Sequence, residues 1–268
     1  MPTFQQGHVV LNYQVFGDGK LPIIAFHGFS RTLNDYALYE DHLDPKYQVI
    51  AVDLFYHGKS KLDRKKIRAF SKGQLRGLFE AFIDHLNLDQ FAVLGYSMGG
   101  RIALFFLEQF SNQITNLYLL APDGLTTNFW NWLVMNTKTG KNLYGFTIHH
   151  PKWINTATKA GKKLRILPHK LDKFMELNFA TKGMRLRVYR VWKLYKYIQF
   201  KQSELLENIQ ENNIKVHVVV GKKDPVVAPK VCKDFCNHIG KNARYHLIDA
   251  GHDLFKPHAL IYIAKKVL

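Results

Sequence analysis

The chain has 268 residues, of which 47% are hydrophobic and 22% are charged, and its formal net charge at pH 7 is +17. A chain of this length and composition can bury a full core, so general disorder is excluded. Its two cysteines are too few for a disulfide framework or a four-cysteine zinc site, and its strong positive charge predicts attraction to an anionic partner.

The start of the chain predicts strands and turns. Alternating apolar residues from His8 to Phe16 are typical of a half-exposed, antiparallel strand. Short apolar runs at residues 22–26 and 48–53 predict buried strands. No basic region followed by an apolar run opens the chain, and no segment approaches ~20 uninterrupted apolar residues. We therefore expect no signal peptide, no membrane span and a cytoplasmic protein.

Helices and strands alternate in the next part of the chain. Helical spacing of apolar residues runs from about Arg68 to Leu86, and a second helix is predicted from Met98 to Phe110. Further strands are predicted at residues 90–95, 117–121, 214–220 and 243–248. This alternation predicts βαβ units and an α/β fold, with a doubly wound and mostly parallel sheet that is covered on both faces.

The strand signal is missing from residues 125–201, which are basic and aromatic. Sixteen lysines and arginines against two acidic residues give this segment +14 of the net charge. We therefore predict a core of residues 1–124 and 202–268 with a helical, strongly basic insertion at 125–201. The insertion would lie between the sixth and seventh strands if the first two are antiparallel.

Three interpretations of the basic insertion stay open. It can be a solvated face, a surface that docks on an anionic membrane, or a region that recognises an anionic substrate. A nucleic-acid partner is not expected, since the sequence has no helix-turn-helix, zinc-finger or RNA-binding signature.

Residues Gly95 to Gly99 fit the pattern G-x-S-x-G and lie between a predicted buried strand and a predicted helix. Glycine at both ends lets a sharp strand-to-helix turn form, which exposes the hydroxyl of Ser97 at its apex. Free N–H groups at the start of the helix then face the same point. This context predicts Ser97 as a nucleophile, against the alternative of a tight turn with an incidental serine.

A nucleophilic serine needs a base, and the base needs an acid that holds it in the right tautomer. In a parallel sheet these groups come from loops at the carboxyl ends of strands. His252 follows the last predicted strand, and Asp224 follows the strand before it. Asp123, which follows the strand at 117–121, is the rival for the acid; otherwise it shapes a turn or contacts substrate.

With these residues in place, the chain resembles the α/β-hydrolase superfamily over nearly its whole length, and the insertion lies where that family carries its cap. The resemblance implies Ser97 as nucleophile, His252 as base and Asp224 as acid, because an Asp-Pro pair after this strand is usual in the family. It also implies an oxyanion hole made by the backbone N–H groups of Phe29 and Met98.

Two loops carry further resemblance. His27-Gly28-Phe29 is similar to the family's oxyanion loop, and His27 is expected to orient this loop rather than to transfer protons. His27, Gly28 and Asp123 are predicted on the substrate side of the site. Residues 53–60 are similar to the family's D-x-x-G-x-G-x-S loop, with His57 at or near the place of a usual glycine. No metal and no cofactor are expected.

The resemblance implies acyl-enzyme hydrolysis of a small-molecule ester or thioester by a carboxylesterase, a thioesterase or a lipase-like enzyme. Two alternatives stay open: a carbon–carbon hydrolase or lyase of the same fold, and a non-catalytic receptor or scaffold that retains the pocket. The sequence leaves the acyl chain, the leaving group and the oligomeric state undetermined.

Overall fold

The computed structural model describes three stretches of the chain, residues 2–126, 137–150 and 179–268. A nine-stranded sheet forms the centre of this part. Its strands are β1 (Thr3–Gln6), β2 (Val9–Phe16), β3 (Leu21–Phe26), β4 (Tyr47–Val52), β5 (Lys61–Leu62), β6 (Phe91–Tyr96), β7 (Ile114–Leu120), β8 (Lys215–Gly221) and β9 (Ala243–Ile248). Their order is β1-β2-β4-β3-β6-β7-β8-β9, and β5 pairs with β2.

The sheet is antiparallel at one edge and parallel elsewhere. β2 runs antiparallel to β1, β4 and β5, as the alternating pattern at its start predicts. All neighbouring pairs from β4 to β9 are parallel, which confirms the predicted fold class. Six strands precede residue 127 if the two-residue β5 is left out of the count. The sequence did not predict β5 because two residues are too short to form an apolar run.

The described helices are α1 (Lys72–His85), α2 (Met98–Phe110), α3 (Lys138–His149), α4 (Lys182–Leu194), α5 (Gln202–Glu211), α6 (Pro229–Ile239) and α7 (Pro257–Lys266). The first begins four residues later than its apolar spacing predicts, because Ser71 caps it. The Ser71 hydroxyl accepts the Gln74 N–H, and the Gln74 side chain accepts the Ser71 N–H. None of the described helices is both long and apolar enough to cross a membrane.

The chain forms two compact units. The core unit contains residues 1–67, 71–126 and 198–268, and the insertion unit contains residues 68–70 and 127–197. The change of unit at 127 lies close to the predicted boundary at 125, and the change after 197 lies close to the one predicted at 201.

Aromatic side chains fill the core unit on one face of the sheet. The Phe26 ring lies 5.6 Å from that of Phe79 on α1 and 5.0 Å from that of Phe106 on α2. On the other face, a short 3₁₀ helix at Leu33–Tyr39 and α7 pack in a second apolar cluster. All six residues of β6 are buried between these layers. The end of β6 is therefore held on both sides, and the residue that follows is Ser97.

The described part of the insertion unit is helical, and one of its cations is structural. Arg185 on α4 is only 3% exposed, although its type and the local charge suggest a solvated face. Its guanidinium donates to the carbonyl of Ile148 in the last turn of α3 and to those of Phe179 and Ala180. Carbonyls at the end of a helix attract a cation, so Arg185 ties α3 to α4. Seven of the sixteen predicted cations fall in residues 151–178, outside the described residues.

Candidate active site

Ser97 occupies a strained turn between β6 and α2. Its backbone has φ 51° and ψ −114°, a conformation that costs about 1–3 kcal/mol for a residue other than glycine. The Ser97 N–H donates to the Leu120 carbonyl, and its own carbonyl accepts N–H groups from Gly100 and Asp123. A Cβ at Gly99 would lie 2.0 Å from the Phe26 carbonyl oxygen, so this turn requires glycine there. The surrounding bonds hold the strained serine in place.

The structure brings Ser97, His252 and Asp224 together in one chain of hydrogen bonds. Ser97 Oγ lies 3.0 Å from His252 Nε2, and His252 Nδ1 lies 2.8 Å from Asp224 Oδ2. The other Asp224 oxygen accepts the backbone N–H groups of Val226 and Val227. Because a carboxylate only accepts, Nδ1 carries the ring proton, and Nε2 is left to accept the serine hydroxyl.

The loops that carry Asp224 and His252 are joined by their backbones. Lys222 N–H donates to the Ile248 carbonyl, and Lys223 N–H donates to that of Ala250. From the other side, the Tyr96 hydroxyl donates to the His252 carbonyl at 2.9 Å. Burial raises the Tyr96 pKa, so this hydroxyl keeps its proton. The distance between acid and base is therefore set by the ends of β6, β8 and β9.

Asp123, the rival for the acid, lies near Ser97 but turns its carboxylate elsewhere. Its oxygens accept two hydrogen bonds from the guanidinium of Arg101 on α2, both at 3.0 Å. Arg101 also donates to the Ile198 carbonyl. The Asp123 side chain is 44% exposed, whereas that of Asp224 is fully buried against His252. Its N–H to the Ser97 carbonyl supports the turn, which is one of the roles left open for it. Substrate contact by Asp123 stays a prediction.

The predicted oxyanion donors lie on the two segments that adjoin Ser97. Met98 is the first residue of α2, so its N–H is among those without an acceptor inside the helix. Phe29 follows Gly28, where an added Cβ would lie 3.3 Å from Ser97 Cβ and 2.6 Å from the Tyr96 ring. This close approach requires glycine at position 28 and brings the loop that carries Phe29 against the serine.

His27 is fully buried, and both of its ring nitrogens are engaged. Nδ1 donates to the Gly28 carbonyl at 2.7 Å, and Nε2 accepts the Leu54 N–H at 2.9 Å. Burial is the main cause that lowers the His27 pKa to about 4; the hydrogen bond to Gly28 opposes this shift, and the nearby charge of Arg31 adds to it. The side chain therefore offers no surface to a substrate, in contrast to the prediction that His27 lies on the substrate side of the site. Its hydrogen bonds instead fix the oxyanion loop, which is the other role expected for it.

Asp53, at the end of β4, is a buried carboxylate with several donors. Its oxygens accept the side-chain amide of Asn12 and the backbone N–H groups of Leu33 and Lys59, at 2.7–2.9 Å. A Cβ at Gly58 would lie 2.0 Å from this carboxylate, and Gly58 has φ +52°. Asp53 therefore holds residues 53–60 in a tight loop beside the oxyanion segment.

His57 has a closer relation to the site than its sequence position suggests. Its side chain is buried, and its ring packs edge-on against those of Phe29, at 5.0 Å, and His27, at 5.3 Å. The substitution of a usual glycine thus fills space behind the oxyanion segment. The sequence shows only that His57 stands at or near the place of a usual glycine, because contacts between separate loops leave no local pattern.

Arg31 is the second residue that the sequence did not reveal. Its guanidinium pairs with Asp253, the neighbour of His252, and with Asp35. It also lies 4.9 Å from the centre of the Phe255 ring and 5.6 Å from that of Tyr96. Arg31 therefore joins the segment that follows Phe29 to the loop that carries His252. The only sign of this role in the sequence is that Arg31 is a basic residue two positions after Phe29.

Among the described residues, no group of three or more histidine, cysteine, aspartate or glutamate side chains could hold a metal ion.

The chain is similar to known proteins in both sequence and fold. Residues 22–259 match the family model described as the alpha/beta hydrolase fold. The chain belongs to this family. The match covers the sheet from β3 to β9 and includes the segments that carry Phe29, Ser97, Asp224 and His252.

Individual relatives differ in how much of the chain they share. A dihydrolipoyllysine-residue acetyltransferase component of an acetoin cleaving system, from Pseudomonas putida, is 31% identical over 44% of this chain, and the match spans only 31% of that protein. Lipase 3 of Moraxella sp. (strain TA144) is 24% identical over 86% of this chain and 71% of its own length. The match to Lipase 3 thus spans most of both chains, whereas the match to the acetyltransferase component is confined to part of each.

A solved structure of a putative lipase from Acinetobacter baumannii AYE superposes with a TM-score of 0.67. It covers 99% of this chain and 89% of its own, at 17% sequence identity. An identity this low shows the common fold alone.

Proposed function

We propose that this protein is a serine hydrolase that cleaves a carboxylic ester or thioester through an acyl-enzyme intermediate. One observation carries the proposal: the unbroken chain of hydrogen bonds from Ser97 Oγ through His252 to Asp224, at 3.0 and 2.8 Å. The lipase and esterase names among the relatives support the same reaction class.

The first half of the reaction forms the acyl-enzyme. Ser97 Oγ attacks the carbonyl carbon of the substrate while His252 Nε2 takes the hydroxyl proton. The imidazolium that results is stabilised by Asp224 through Nδ1. The N–H groups of Phe29 and Met98 donate to the oxygen on which negative charge develops. When the intermediate collapses, the bond to the leaving group breaks, and the alcohol or thiol takes the proton from His252.

The second half releases the acid. His252 removes a proton from water as the water oxygen attacks the acyl carbon, and the bond to Ser97 then breaks. The proton returns from His252 to Ser97 Oγ, so the enzyme is unchanged after one turnover. The strained backbone of Ser97 helps here, because it holds the oxygen close to Nε2 through both halves without reorganisation.

The test is initial rates on p-nitrophenyl acyl esters of increasing chain length, and on matched thioesters. We expect turnover by the wild type and a loss of at least about 10⁴-fold in Ser97→Ala. Ser203→Ala is the matched control, since Ser203 is exposed on α5 and its loss should leave the rate unchanged. The chain-length optimum sizes the acyl site.

Three results would overturn the proposal. Equal turnover by wild type and Ser97→Ala would mean that another group does the chemistry. Turnover of a vinylogous diketone by the wild type, with no ester or thioester turnover by the same folded protein, would replace the ester by a carbon–carbon bond. Folded protein that acts on none of these substrates and resists a fluorophosphonate would favour the receptor.

A further inference from the structure

A pocket of about 280 Å³ lies at the amino ends of β7, β8 and β9. We call it the basic pocket, and it is lined by Asn116, Lys215, His217, Lys241, Asn242 and Arg244. Strand register explains why these residues meet. Asn116 is paired with Lys215, and His217 with Arg244, so side chains two apart on each strand share one face of the sheet.

The same sheet face changes character along its length. Towards the carboxyl ends of the strands it carries Leu120, Val219 and Ile248, which pack in the cluster that includes α7. Towards the amino ends it carries the basic pocket. This end of the face is open to solvent at Lys215, Lys241 and Arg244, which are exposed, whereas Asn242 beside them is buried.

The lining of the basic pocket has the charge and the donors that an anion requires. Lys215, Lys241 and Arg244 are cations, and none of the six lining residues is acidic. Within the described part of the chain, none of these three cations forms an ion pair with a carboxylate. Lys215 Nζ lies 3.4 Å from Asn242 Oδ1, a long contact that leaves donors on both side chains.

A pair of stacked histidines borders this cluster. The His217 and His246 rings are 5.5 Å apart with an angle of 14°, and His217 Nδ1 lies 3.3 Å from His246 Nε2. Tyr118 packs against His217, and Tyr262 on α7 contacts His246. Burial is the main cause that lowers the His217 pKa to about 4, and the neighbouring His246 and Arg244 act in the same direction. Within the described residues, His217 therefore has aromatic and basic neighbours, with Tyr118 and His246 against its ring and Arg244 beside it on β9.

We propose that the basic pocket is a second ligand site, which binds a phosphoryl-bearing anion of the size of a diphosphate. A ligand with a single carboxylate would neutralise only one of the three cations, whereas a phosphoryl group carries more negative charge. A guanidinium also offers paired N–H donors, whose hydrogen bonds phosphate oxygens accept. The pocket and Ser97 lie at opposite ends of strands about six residues long, roughly 20 Å apart at 3.3 Å per residue. This site is therefore separate from the proposed esterase reaction and does not depend on it.

The experiment measures binding of inorganic pyrophosphate by titration calorimetry, at fixed ionic strength made up with chloride. The test variant is Lys241→Ala/Arg244→Ala, and the matched control is Lys230→Ala/Lys233→Ala. The control removes two exposed lysines from α6, which packs against β8 and β9. We expect the test variant to bind at least about tenfold more weakly than wild type and the control to bind as wild type does.

A second readout uses the wild-type protein and so does not depend on variant folding. The His217 ring is followed by NMR across pH with and without saturating pyrophosphate. A bound anion favours the charged imidazole, so the His217 pKa should rise from its low value. Three results would overturn the proposal. The two double variants could bind pyrophosphate with equal affinity, or the His217 titration could stay unchanged at saturation. Chloride could also displace pyrophosphate as well as a phosphoryl anion does, which would show charge screening only.

Discussion

Two histidine–aspartate pairs lie in the core unit at the carboxyl ends of its strands, and they differ in what the second ring nitrogen contacts. In the pair after β8 and β9, His252 binds Asp224 through Nδ1 and reaches Ser97 Oγ with Nε2. In the pair after β3 and β4, His27 Nε2 is 3.9 Å from Asp53 and accepts a backbone N–H instead.

The two aspartates themselves are alike, since both are buried and accept backbone N–H groups. The two pairs differ in their histidines, since the His252 side chain is 22% exposed and that of His27 is fully buried. Residue type and position at a strand end are therefore insufficient to define a base. The distinguishing feature is a histidine with one ring nitrogen held by a carboxylate and the other ring nitrogen open to a hydroxyl.

The largest effect that would test this comparison is on catalysis. Asp224→Asn should lower kcat/KM by roughly 10⁴-fold, because an amide can donate to Nδ1 and so favour the wrong tautomer of His252. Hydrolysis of the best ester from the chain-length series measures it. Asp123→Asn is the matched control, and it should stay within about threefold of wild type. If Asp123→Asn showed the large loss and Asp224→Asn the small one, the acid would be Asp123.

The second pair should show a loss of stability instead. Asp53→Asn should lower the free energy of unfolding by about 3 kcal/mol, because an amide group would face the N–H donors that the buried carboxylate now accepts. Urea unfolding followed by circular dichroism measures the change. A variant as stable as the wild type would show that these hydrogen bonds do not stabilise the fold. The structural role assigned to the pair of His27 and Asp53 would then be wrong.

Acid should also lower stability through the buried His27. The folded-state pKa of His27 is about 4, below the ordinary 6.5, so the unfolded chain binds this proton more readily between these values. The free energy of unfolding should therefore fall as the pH drops from 6.5 to 4, by on the order of 3 kcal/mol from His27. His27→Gln cannot bind this proton, and its unfolding curves should show a shallower dependence on pH. Parallel dependences for the two proteins would contradict a neutral, buried His27.

The smallest expected effect concerns the link between the two regions. Arg31→Ala should lower kcat about tenfold with little change in KM, because the oxyanion segment and the His252 loop lose a shared anchor. Arg31→Lys should recover part of the loss, since it keeps the charge beside Asp253. Arg76→Ala, on the exposed face of α1, is the matched control. A change in KM alone would indicate that Arg31 contacts substrate rather than positions the loops.

Much of the fold could be predicted from the sequence, because buried parallel strands appear there as continuous apolar runs. The strand at 243–248 and the helix from Met98 to Phe110 have the predicted bounds. Ser97, Asp224 and His252 could be predicted because each follows such a run. The start of α1 was missed by four residues, since apolar spacing does not show a cap.

What could not be predicted depends on contacts between distant segments. The packing of His57 against Phe29 and the bond from Arg31 to Asp253 join separate loops. Arg185 has the sequence signature of a surface cation, but its partners are carbonyls near Phe179 and in α3. The basic pocket combines residues from β7, β8, β9 and the short turn before β9, and these segments are far apart in the chain.

The most direct measurement of the central claim is intact-protein mass spectrometry after treatment with a fluorophosphonate. We predict one adduct on the wild type and on Asp53→Asn, located at Ser97 by peptide mapping, none on Ser97→Ala, and much slower labelling of Asp224→Asn. An adduct that persists in Ser97→Ala, or folded wild-type protein that takes no adduct, would contradict the assignment of Ser97, His252 and Asp224 as a working catalytic set.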